Sequence, residues 1–373
     1  MKTKILYFVD TLDHDGIQTL LLNIVETIDK TKFDISFLCF DFGREFKLEK
    51  TFATLGCEIY KVPHLQKKPI KCLRRLNSFF KDNKFDIVHC HSSSKAAIVL
   101  KYAKKNGVKI RIAHSHCTHF QTKNMFIKLI GNMLMHYTRK YATEYMACSS
   151  DAARWMFGNK NIKNSKVKFM KNAIDIDKYK FSENIRLKLR EQYNINEQTL
   201  VIGHVGRFMN QKNHKFMIEI LKHLSQEHID CKMVFIGVGE LMQECKDLCH
   251  NLSLDDYVIF AGYQCQVYEY YSMFDVFILP SLFEGLPFVG IEAQASGLKS
   301  IFSSTISKQV VICEKLCSFV DLSLGALYFA NCIIDKSKEK TNRLVILDEL
   351  RNSGYDIKTE IKRLENYYNN LLD

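Results

Sequence analysis

Short apolar segments alternate with helix-like segments along the whole chain, and this alternation restricts the fold more than any other feature. Many of the apolar segments are continuous runs, which is typical of strands that a parallel sheet buries on both faces. In the first half we predict strands at Lys4–Val9, Phe33–Phe40, Cys57–Val62, Phe85–Cys90, Lys109–Ala113, Glu144–Cys148 and Lys166–Lys171. Helical patterns separate them, for example at Ile17–Ile28, Lys95–Lys105 and Asn124–Tyr141. This order favours a doubly wound α/β domain.

The same order begins again in the second half of the chain. There we predict strands at Thr199–Val205, Cys231–Ile236, Tyr257–Ala261, Phe274–Leu279, Lys299–Phe302 and Cys317–Val320. A chain of 373 residues is too long for one ordinary core and suits two domains. We therefore predict two Rossmann-like α/β domains that face each other across a cleft. They span residues 1–175 and 176–355, and a last helix over 356–373 crosses back to the first domain. In such sheets, ligands bind at the carboxyl ends of the strands.

Composition indicates the compartment. None of the thirteen cysteines forms a C-x-x-C pair, so free thiols in a reducing compartment are expected. The apolar run Ile5–Val9 is too short for the core of a signal peptide. No apolar run approaches the roughly 20 residues that span a bilayer. We expect a cytoplasmic protein, with peripheral attachment to the inner face of the cell membrane as an option.

Charge is distributed unevenly along the chain. Residues 1–175 contain 31 Lys and Arg against 15 Asp and Glu, whereas the remaining residues contain 22 against 26. A basic half favours nucleic acid, anionic lipid or a phosphorylated substrate as a partner, and the sign alone does not choose among them.

The first motif with chemical content lies between a predicted strand and a helix, over residues 280–294. Glu284 stands just ahead of that helix, and Glu292 lies within it, where it can line the same cleft. Unpaired backbone N–H groups of the helix start would lie beside Glu284, from Gly285, Leu286 and Phe288. This combination suits an anion or a hydroxyl group. The alternative is an acidic residue favoured by the helix dipole, followed by a solvent-facing glutamate.

The second motif, Val205–His214, follows the first strand of the second domain. Gly206 permits a tight turn, and Arg207 and Lys212 bracket the loop before the next helix. Two fixed cations at the end of a parallel strand suit a diphosphate, which Arg can bind with two parallel hydrogen bonds. The alternative is a pair of solvated surface cations.

Together, these motifs resemble glycosyltransferase family 4, the retaining enzymes of the GT-B fold. The resemblance rests on E-G-L-P-x-x-x-x-E-A around Glu284 and Glu292 and on V-G-R-F-x-x-Q-K-N-H around Arg207 and Lys212. Shorter pieces agree in order, at residues 86–91, 111–116, 147–150, 172–175 and 235–239. The ordered set covers roughly residues 5–305.

The resemblance implies roles for the residues of the second domain. Arg207 and Lys212 would hold the diphosphate of a nucleotide-sugar donor and stabilise its charge as it leaves. Glu284 would bind hydroxyls of the donor sugar, with the amides of Gly285, Leu286 and Phe288 behind it. Glu292 would bind the ribose hydroxyls.

The resemblance also implies two residues of the first domain. Gly16 would let that domain approach the phosphates, although Asp15-Gly16-Ile17-Gln18 replaces the glycine pair and glutamate of many members. His116 would lie near the transferred sugar, with His114 and His119 as close competitors. The implied catalytic set is therefore Glu284, His116, Arg207 and Lys212.

The chemistry that the resemblance implies is transfer with retention at the anomeric carbon. It needs no metal ion and no cofactor besides the donor, for which we expect a UDP-sugar. Asp175 and Asp177 match the D-x-D pattern with which other glycosyltransferases bind metal, but they lie in the linker that we predict at the domain boundary, near Asn172–Tyr179.

Two basic and apolar segments of the first domain suggest a surface for an anionic membrane. One helical stripe carries Phe126, Leu129, Ile130, Met133, Leu134 and Tyr137. Lys123, Lys128, Arg139 and Lys140 flank it. A second segment contains Arg74, Arg75, Phe79 and Phe80. Members of the family often meet the membrane that carries a lipid-linked acceptor through such surfaces. The alternative is that the stripe belongs to the core.

The function that we expect is transfer of a sugar to a lipid-linked acceptor during capsule or exopolysaccharide synthesis. The alternatives are a sugar-nucleotide epimerase of the same fold, a non-catalytic nucleotide-sugar binder and a nucleic-acid-binding protein. The sequence contains no helix-turn-helix, zinc-finger or RNP-like motif, so nucleic acid is not an expected partner.

Overall fold

The computed structural model describes residues 2–13, 16–120, 122, 124–339, 342–343 and 347–373. The chain forms two compact units. The first contains Met1–Ala173 together with Ile357–Asp373, and the second contains Ile174–Asp356. Within the described residues, no helix combines the length and the apolar composition needed to cross a bilayer.

The first unit is built on seven strands. They are β1 (Thr3–Phe8), β2 (Phe33–Asp41), β3 (Glu58–Pro63), β4 (Ile87–Cys90), β5 (Ile110–Ser115), β6 (Glu144–Ala147) and β7 (Val167–Phe169). The helices between them are α1 (Gly16–Thr27), α2 (Glu49–Thr54), α3 (Pro69–Asp82), α4 (Ala96–Lys105), α5 (Met125–Tyr141) and α6 (Ser150–Lys163). Every strand pair is parallel, in the order β3-β2-β1-β4-β5-β6-β7.

The second unit repeats the design with six strands. They are β8 (Leu200–Val205), β9 (Cys231–Ile236), β10 (Val258–Gly262), β11 (Val276–Leu279), β12 (Lys299–Ser303) and β13 (Cys317–Val320). Its helices are α7 (Glu183–Gln192), α8 (His214–Gln226), α9 (Met242–Asn251), α10 (Val267–Met273), α11 (Phe288–Ala295), α12 (Gly325–Lys338) and α13 (Leu347–Asn352). The sheet is again parallel, in the order β10-β9-β8-β11-β12-β13.

Helices cover both faces of each sheet. This agrees with the continuous apolar runs of the strands, which are typical of strands buried on two sides. In the second unit, one core contains Phe277 and Leu279 of β11, and another contains Ile278 of the same strand. Successive residues of one strand therefore enter opposite cores, because side chains of a strand alternate between the faces of its sheet.

The last helix, α14 (Ile357–Leu372), packs in the first unit. Tyr368 is fully buried there, and its hydroxyl lies 3.0 Å from that of Tyr7 and 2.7 Å from Nδ1 of His89. Glu365 accepts a hydrogen bond of 2.7 Å from the backbone N–H of Asp29. Buried polar contacts and an apolar face thus hold this helix.

The predicted strands are confirmed as elements. All thirteen are present, and most of their bounds differ from the prediction by only one or two residues. The three helices predicted at 17–28, 95–105 and 124–141 correspond to α1, α4 and α5. The fold class of two Rossmann-like parallel-sheet domains is therefore confirmed.

An ionic cluster joins α7 to the start of β11. Asp275 accepts from Arg190 at 2.7 Å, from Arg186 at 2.6 Å and from the backbone N–H of Val201 at 2.7 Å. The side chain of Arg190 is only 2% exposed and also donates to the carbonyls of Asn196 and Thr199. The carboxylate thereby connects the neighbouring strands β8 and β11 at their first residues.

This cluster gives a direct test of the packing. Asp275→Ala should destabilise the second unit by about 3–5 kcal/mol, because Arg190 would stay buried without its carboxylate. Scanning calorimetry would measure the loss against Asp335→Ala, since the Asp335 side chain is 80% exposed and its removal should change little. Equal effects of the two substitutions would contradict the role of the cluster.

Candidate active site

The loop after β8 carries the first group of site residues. A short 3-10 turn covers Asn210–Lys212, and Asn213 follows with a left-handed backbone at φ 61° just before α8. Asparagine tolerates this conformation better than most residues. The turn directs Gln211 and Lys212 towards the loop that follows β11, where both donate hydrogen bonds to Glu284.

Hydrogen bonds connect the loop after β8 to the loop after β11. The backbone N–H of Leu282 donates to the carbonyl of Gln211 at 2.8 Å, and Nδ2 of Asn213 donates to the carbonyl of Pro280 at 3.1 Å. The hydroxyls of Ser303 and Thr305 both donate to the carbonyl of Ser281. Glu284 therefore sits in a loop whose backbone is held from two neighbouring strands.

Lys212 and Glu284 form the central ion pair of the site. Nζ of Lys212 lies 2.7 Å from Oε1 of Glu284, and the two side chains are 15% and 7% exposed. Nε2 of Gln211 donates to Oε2 of Glu284 at 3.2 Å and to the carbonyl of Phe283 at 2.9 Å. Both carboxylate oxygens thus have a donor, which fixes the orientation of the group.

Glu292 is the second carboxylate, on α11, and it is 5% exposed. The hydroxyl of Tyr271 donates to its Oε2 at 2.6 Å, and Tyr179 provides a further hydrogen bond. Burial raises the pKa of Glu292 above its usual range, although the two tyrosines and the charge of Lys212 oppose the rise. The alternative of a solvent-facing glutamate at this position is excluded.

Arg207 occupies a different environment from Lys212. Its side chain is 58% exposed and lies 3.4 Å from Glu240, which is 57% exposed. An exposed pair of this kind contributes little stability, so the guanidinium can exchange its partner. Of the two predicted cations, only Lys212 contacts Glu284.

The loop after β9 approaches the backbone of the Arg207 loop very closely. A Cβ added to Gly237 would lie 2.1 Å from the carbonyl oxygen of Gly206, and one added to Gly239 would lie 2.3 Å from that of Phe208. Only glycine permits such an approach. The two glycines therefore set the path of the segment that carries Arg207.

The remaining predicted residues of the second unit precede or begin α11. Gly285 and Leu286 lie in the loop, and Phe288 is the first residue of the helix, which starts after Pro287. The first-turn N–H groups thus lie next to Glu284 in sequence, and the loop is held as described above.

The first unit contains Gly16 and the three candidate histidines. Gly16 is exposed and begins α1. His114 lies in β5 and is fully buried, whereas His119 is exposed. His116 follows β5, and its Nε2 lies 3.0 Å from Nδ1 of His91. The roles of Gly16 and His116 stay predictions, and Asp15 lies outside the described residues.

The two basic and apolar segments differ in exposure. On α5, Met125, Phe126 and Leu129 are 74%, 78% and 68% exposed, and Ile130 and Met133 are each 53% exposed. The stripe is therefore on the surface and not in the core; Lys123 lies outside the described residues. On α3, Phe79 and Phe80 are 1% exposed, so they belong to the core and only the basic residues of that segment face solvent.

Asp175 and Asp177 are engaged with their surroundings. Asp177 pairs with Arg351 at 3.0 Å, and its backbone N–H donates to the Asp175 carboxylate at 3.2 Å. The group with metal-ligand spacing among the described residues is instead His89, His91 and His114.

Sequence reasoning missed several residues that complete the site. Gln211 stands inside the recognised V-G-R-F-x-x-Q-K-N-H motif, so its position next to Lys212 was a usable signal. Tyr271, Tyr179 and Glu240 belong to other segments of the second unit, and no local pattern connects them to Glu292 or Arg207.

Comparison with known proteins extends these findings. The model described as Glycosyltransferase Family 4 matches residues 14–178, and that described as Glycosyl transferases group 1 matches residues 185–352. EpsF of Bacillus subtilis (strain 168), which bears a glycosyltransferase name, is 30% identical over 373 residues that cover 98% of this chain and 96% of that protein.

Two further proteins are similar over almost the whole chain. One is a protein of Escherichia coli named UDP-Gal:alpha-D-GlcNAc-diphosphoundecaprenol alpha-1,3-galactosyltransferase. It is 24% identical to this chain, and the alignment covers 95% of this chain and 93% of that protein. The crystal structure of Anabaena HepE in complex with UDP-glucose has a TM-score of 0.80 at 14% identity, covering 98% of this chain and 99% of that one. The latter likeness concerns the fold alone.

The buried carboxylate predicts a pH-dependent stability. Folding raises the pKa of Glu292 above 4.5. The contribution of this group to the free energy of unfolding is therefore fully present below pH 4.5 and is lost as the pH rises through the pKa of the folded state. The glutamine of Glu292→Gln cannot ionise. The unfolding temperature of the variant, relative to that of the wild type, should therefore rise as the pH increases. Calorimetry across this range would measure the difference, with Glu227→Gln on the surface as control. A difference that does not vary with pH would contradict the assignment.

Proposed function

The chain belongs to the glycosyltransferases of family 4 (group 1), and from this premise we propose that it is a retaining enzyme that uses a UDP-sugar. Its acceptor would be a lipid-linked sugar of surface polysaccharide biosynthesis. The observation that carries the proposal is the Lys212–Glu284 pair, held at the carboxyl ends of the adjacent strands β8 and β11. Ligands of doubly wound sheets bind at such a position.

One relative and one structural neighbour support the choice of donor and acceptor. The E. coli relative is named for a UDP-galactose donor and a diphosphoundecaprenol acceptor, and HepE was crystallised with UDP-glucose. Similar chemistry in this chain would need cations that bind a diphosphate and a hydrogen-bond acceptor that binds sugar hydroxyls. The loops after β8 and β11 of the second unit contain both.

In this proposal, Lys212 and Arg207 bind the donor diphosphate in complementary ways. Lys212 is enclosed and already oriented by Glu284, so it would supply a fixed charge with little reorganisation. Arg207 is half exposed and weakly paired with Glu240, so it would leave that carboxylate for the phosphates. Together they would stabilise the negative charge that develops on the leaving diphosphate. In this proposal the diphosphate needs no bound metal ion.

The two glutamates would bind different parts of the donor. Glu284 accepts from Lys212 and Gln211, and an ionised carboxylate has about four acceptor positions, so sugar hydroxyls can still bind. Glu292 receives hydrogen bonds from Tyr271 and Tyr179 and would accept from the ribose hydroxyls with its remaining capacity. Gly285, Leu286 and Phe288 would contribute backbone N–H groups beside Glu284.

His116 would contact the transferred sugar as a neutral ring. Burial lowers the pKa of His116 to about 3, so at neutral pH the imidazole carries one N–H and one acceptor nitrogen. It would therefore orient a hydroxyl by hydrogen bonding and would not act as a cation. Gly16 would contribute its backbone to phosphate binding.

A membrane surface on α5 would bring the enzyme to its acceptor. Soluble monomers rarely expose a large contiguous apolar patch, and this one lies on a helix with Lys128 and Lys140. Exposed Arg74 and Arg75 on α3 add positive charge to the same unit. All thirteen cysteines are free, which fits a reducing, cytoplasmic compartment. The α5 surface would then attach the enzyme peripherally to the inner face of the membrane.

The assignment of the two glutamates can be tested by substitution. Glu284→Gln should lower turnover by roughly 10- to 100-fold and should weaken UDP binding less than Glu292→Gln does, because Glu284 would contact only the sugar of the donor and the Gln side-chain oxygen can still accept from Lys212. Glu292→Gln should weaken binding of both UDP and the donor, since both contain the ribose. Calorimetry with UDP and nucleotide release from a panel of UDP-sugars would measure these effects, with Glu227→Gln as control. The reverse pattern would exchange the roles, and no effect of either change would remove the main support for the function.

The membrane surface can be tested with vesicles. The wild type should sediment with phosphatidylglycerol vesicles and be partly released at high salt, because screening weakens the attraction. Replacing Phe126, Leu129 and Met133 by Ser should remove most of the sedimentation and leave UDP binding intact. In the control variant, Leu327 and Tyr328 of the second unit, which are each 50% exposed, are likewise replaced by Ser. If the control loses as much binding as the α5 variant, or if the wild type never sediments, the proposal fails.

A further inference from the structure

Four histidines meet at the carboxyl ends of β4 and β5. His89 and His91 are two residues apart, as are His114 and His116, so each pair points to one face of the sheet. Because β4 and β5 are parallel neighbours, the pairs lie side by side. Ring centroids are 4.2 Å apart for His89 and His91, 4.0 Å for His114 and His116, and 5.2 Å for His89 and His114.

Three of these rings have the spacing of metal ligands. One ring nitrogen each of His89, His91 and His114 lies within 4.8 Å of the others. Nε2 of His89 and Nδ1 of His114 lie 3.2 Å apart, which is also a hydrogen-bonding distance. Two nitrogens bound to one tetrahedral zinc ion at about 2.0–2.1 Å lie about 3.3 Å apart. The spacing of this pair therefore matches that of two ligands of one ion when neither nitrogen carries a proton.

Two ring nitrogens of the cluster lack partners. Nε2 of His91 and Nε2 of His114 have no hydrogen-bond partner among the described residues, although the two side chains are 2% and 0% exposed. A buried polar atom without a partner costs free energy. A cation bound through Nε2 of His91 would recover that loss for one of the two atoms, while His114 would bind through Nδ1, the nitrogen that faces His89.

The surroundings of His89 prepare it as a ligand. Its Nδ1 lies 2.7 Å from the hydroxyl of Tyr368, which in turn lies 3.0 Å from the hydroxyl of Tyr7. If Nδ1 donates its proton to Tyr368, Nε2 carries a free lone pair, and metal-binding histidines commonly have such an outer partner.

We propose that His89, His91 and His114 form a buried site for a transition-metal ion, with Zn²⁺ as the preferred ion. Imidazole nitrogens suit zinc, and three protein ligands leave a fourth position open. His116 stands next to the site through His91. The ion would join β4 to β5 and, through Tyr368, to the last helix. The three ligands belong to the first unit and are not among the residues that we assign to the donor.

The test begins with the full chain prepared without a histidine tag. Inductively coupled plasma mass spectrometry should find about one zinc ion per chain, or the chelator-treated protein should take up about one Zn²⁺ on titration. Co²⁺ should then give the visible absorption of a low-coordinate nitrogen site. Zn²⁺ should also raise the unfolding temperature, because an ion that binds the folded state stabilises it.

Variants connect the ion to the named residues. His91→Gln and His114→Gln should each abolish stoichiometric Zn²⁺ binding, whereas His136→Gln, an exposed histidine of the same unit, should bind like the wild type. Tyr368→Phe should weaken the affinity by about 10- to 100-fold, because it removes the outer partner of His89. Should the two ligand variants fail to fold, the wild-type Zn²⁺ and Co²⁺ titrations and Tyr368→Phe decide.

Two results would overturn the proposal. One is a wild-type protein that neither contains zinc nor binds Zn²⁺ or Co²⁺ stoichiometrically, which would leave the cluster as a stack of core histidines. The other is stoichiometric binding that survives in a folded His91→Gln, His114→Gln double variant. UDP calorimetry on the same samples separates the outcomes: a metal-free protein that binds UDP refutes this inference alone, whereas loss of UDP binding concerns the proposed function.

Discussion

The parallel pairing of β8 with β11 is the constraint on which the candidate site depends. These strands are 70 residues apart in sequence, yet they are neighbours at the centre of the sheet, with Val276 opposite Ile202. Asp275 supports the pairing at its first residues, since it accepts from the backbone of Val201 and from two arginines. Because parallel strands end at one edge, the loops that follow them must meet there. Lys212 and Glu284 contact each other for this reason.

The same constraint operates in the first unit with other residues. There β4 lies between β1 and β5, so the histidines at the ends of β4 and β5 are forced into one cluster. The hydroxyls of Tyr7 and Tyr368 complete it from β1 and α14. One topology thus produces a charged site in one unit and a neutral, nitrogen-rich one in the other, and the side chains at the strand ends decide which.

Burial separates the groups of the candidate site into two kinds. Lys212, Glu284 and Glu292 are enclosed, and each has hydrogen-bond partners, which for Glu292 only partly offset the cost of its desolvation. Arg207 is exposed and only weakly paired, so it is free to reorient at small cost. An enclosed, oriented set beside one adjustable cation is an arrangement suited to a charged ligand that must enter and leave.

The strands, the helices and the two motifs can be predicted from the amino-acid sequence. The strands could be predicted because two-sided burial requires continuous apolar runs, and such runs are visible without knowledge of the fold. Lys212 and Glu284 stood out because each follows a buried strand. The contacts between side chains follow from the three-dimensional fold and not from local patterns. Arg207 pairs with Glu240, and Tyr271 binds Glu292. Phe126 is exposed, whereas Phe79 is buried. The physical reason is that periodicity defines the faces of a helix or strand, whereas pairing and burial depend on what packs against each face, and that is contributed by residues far away in sequence.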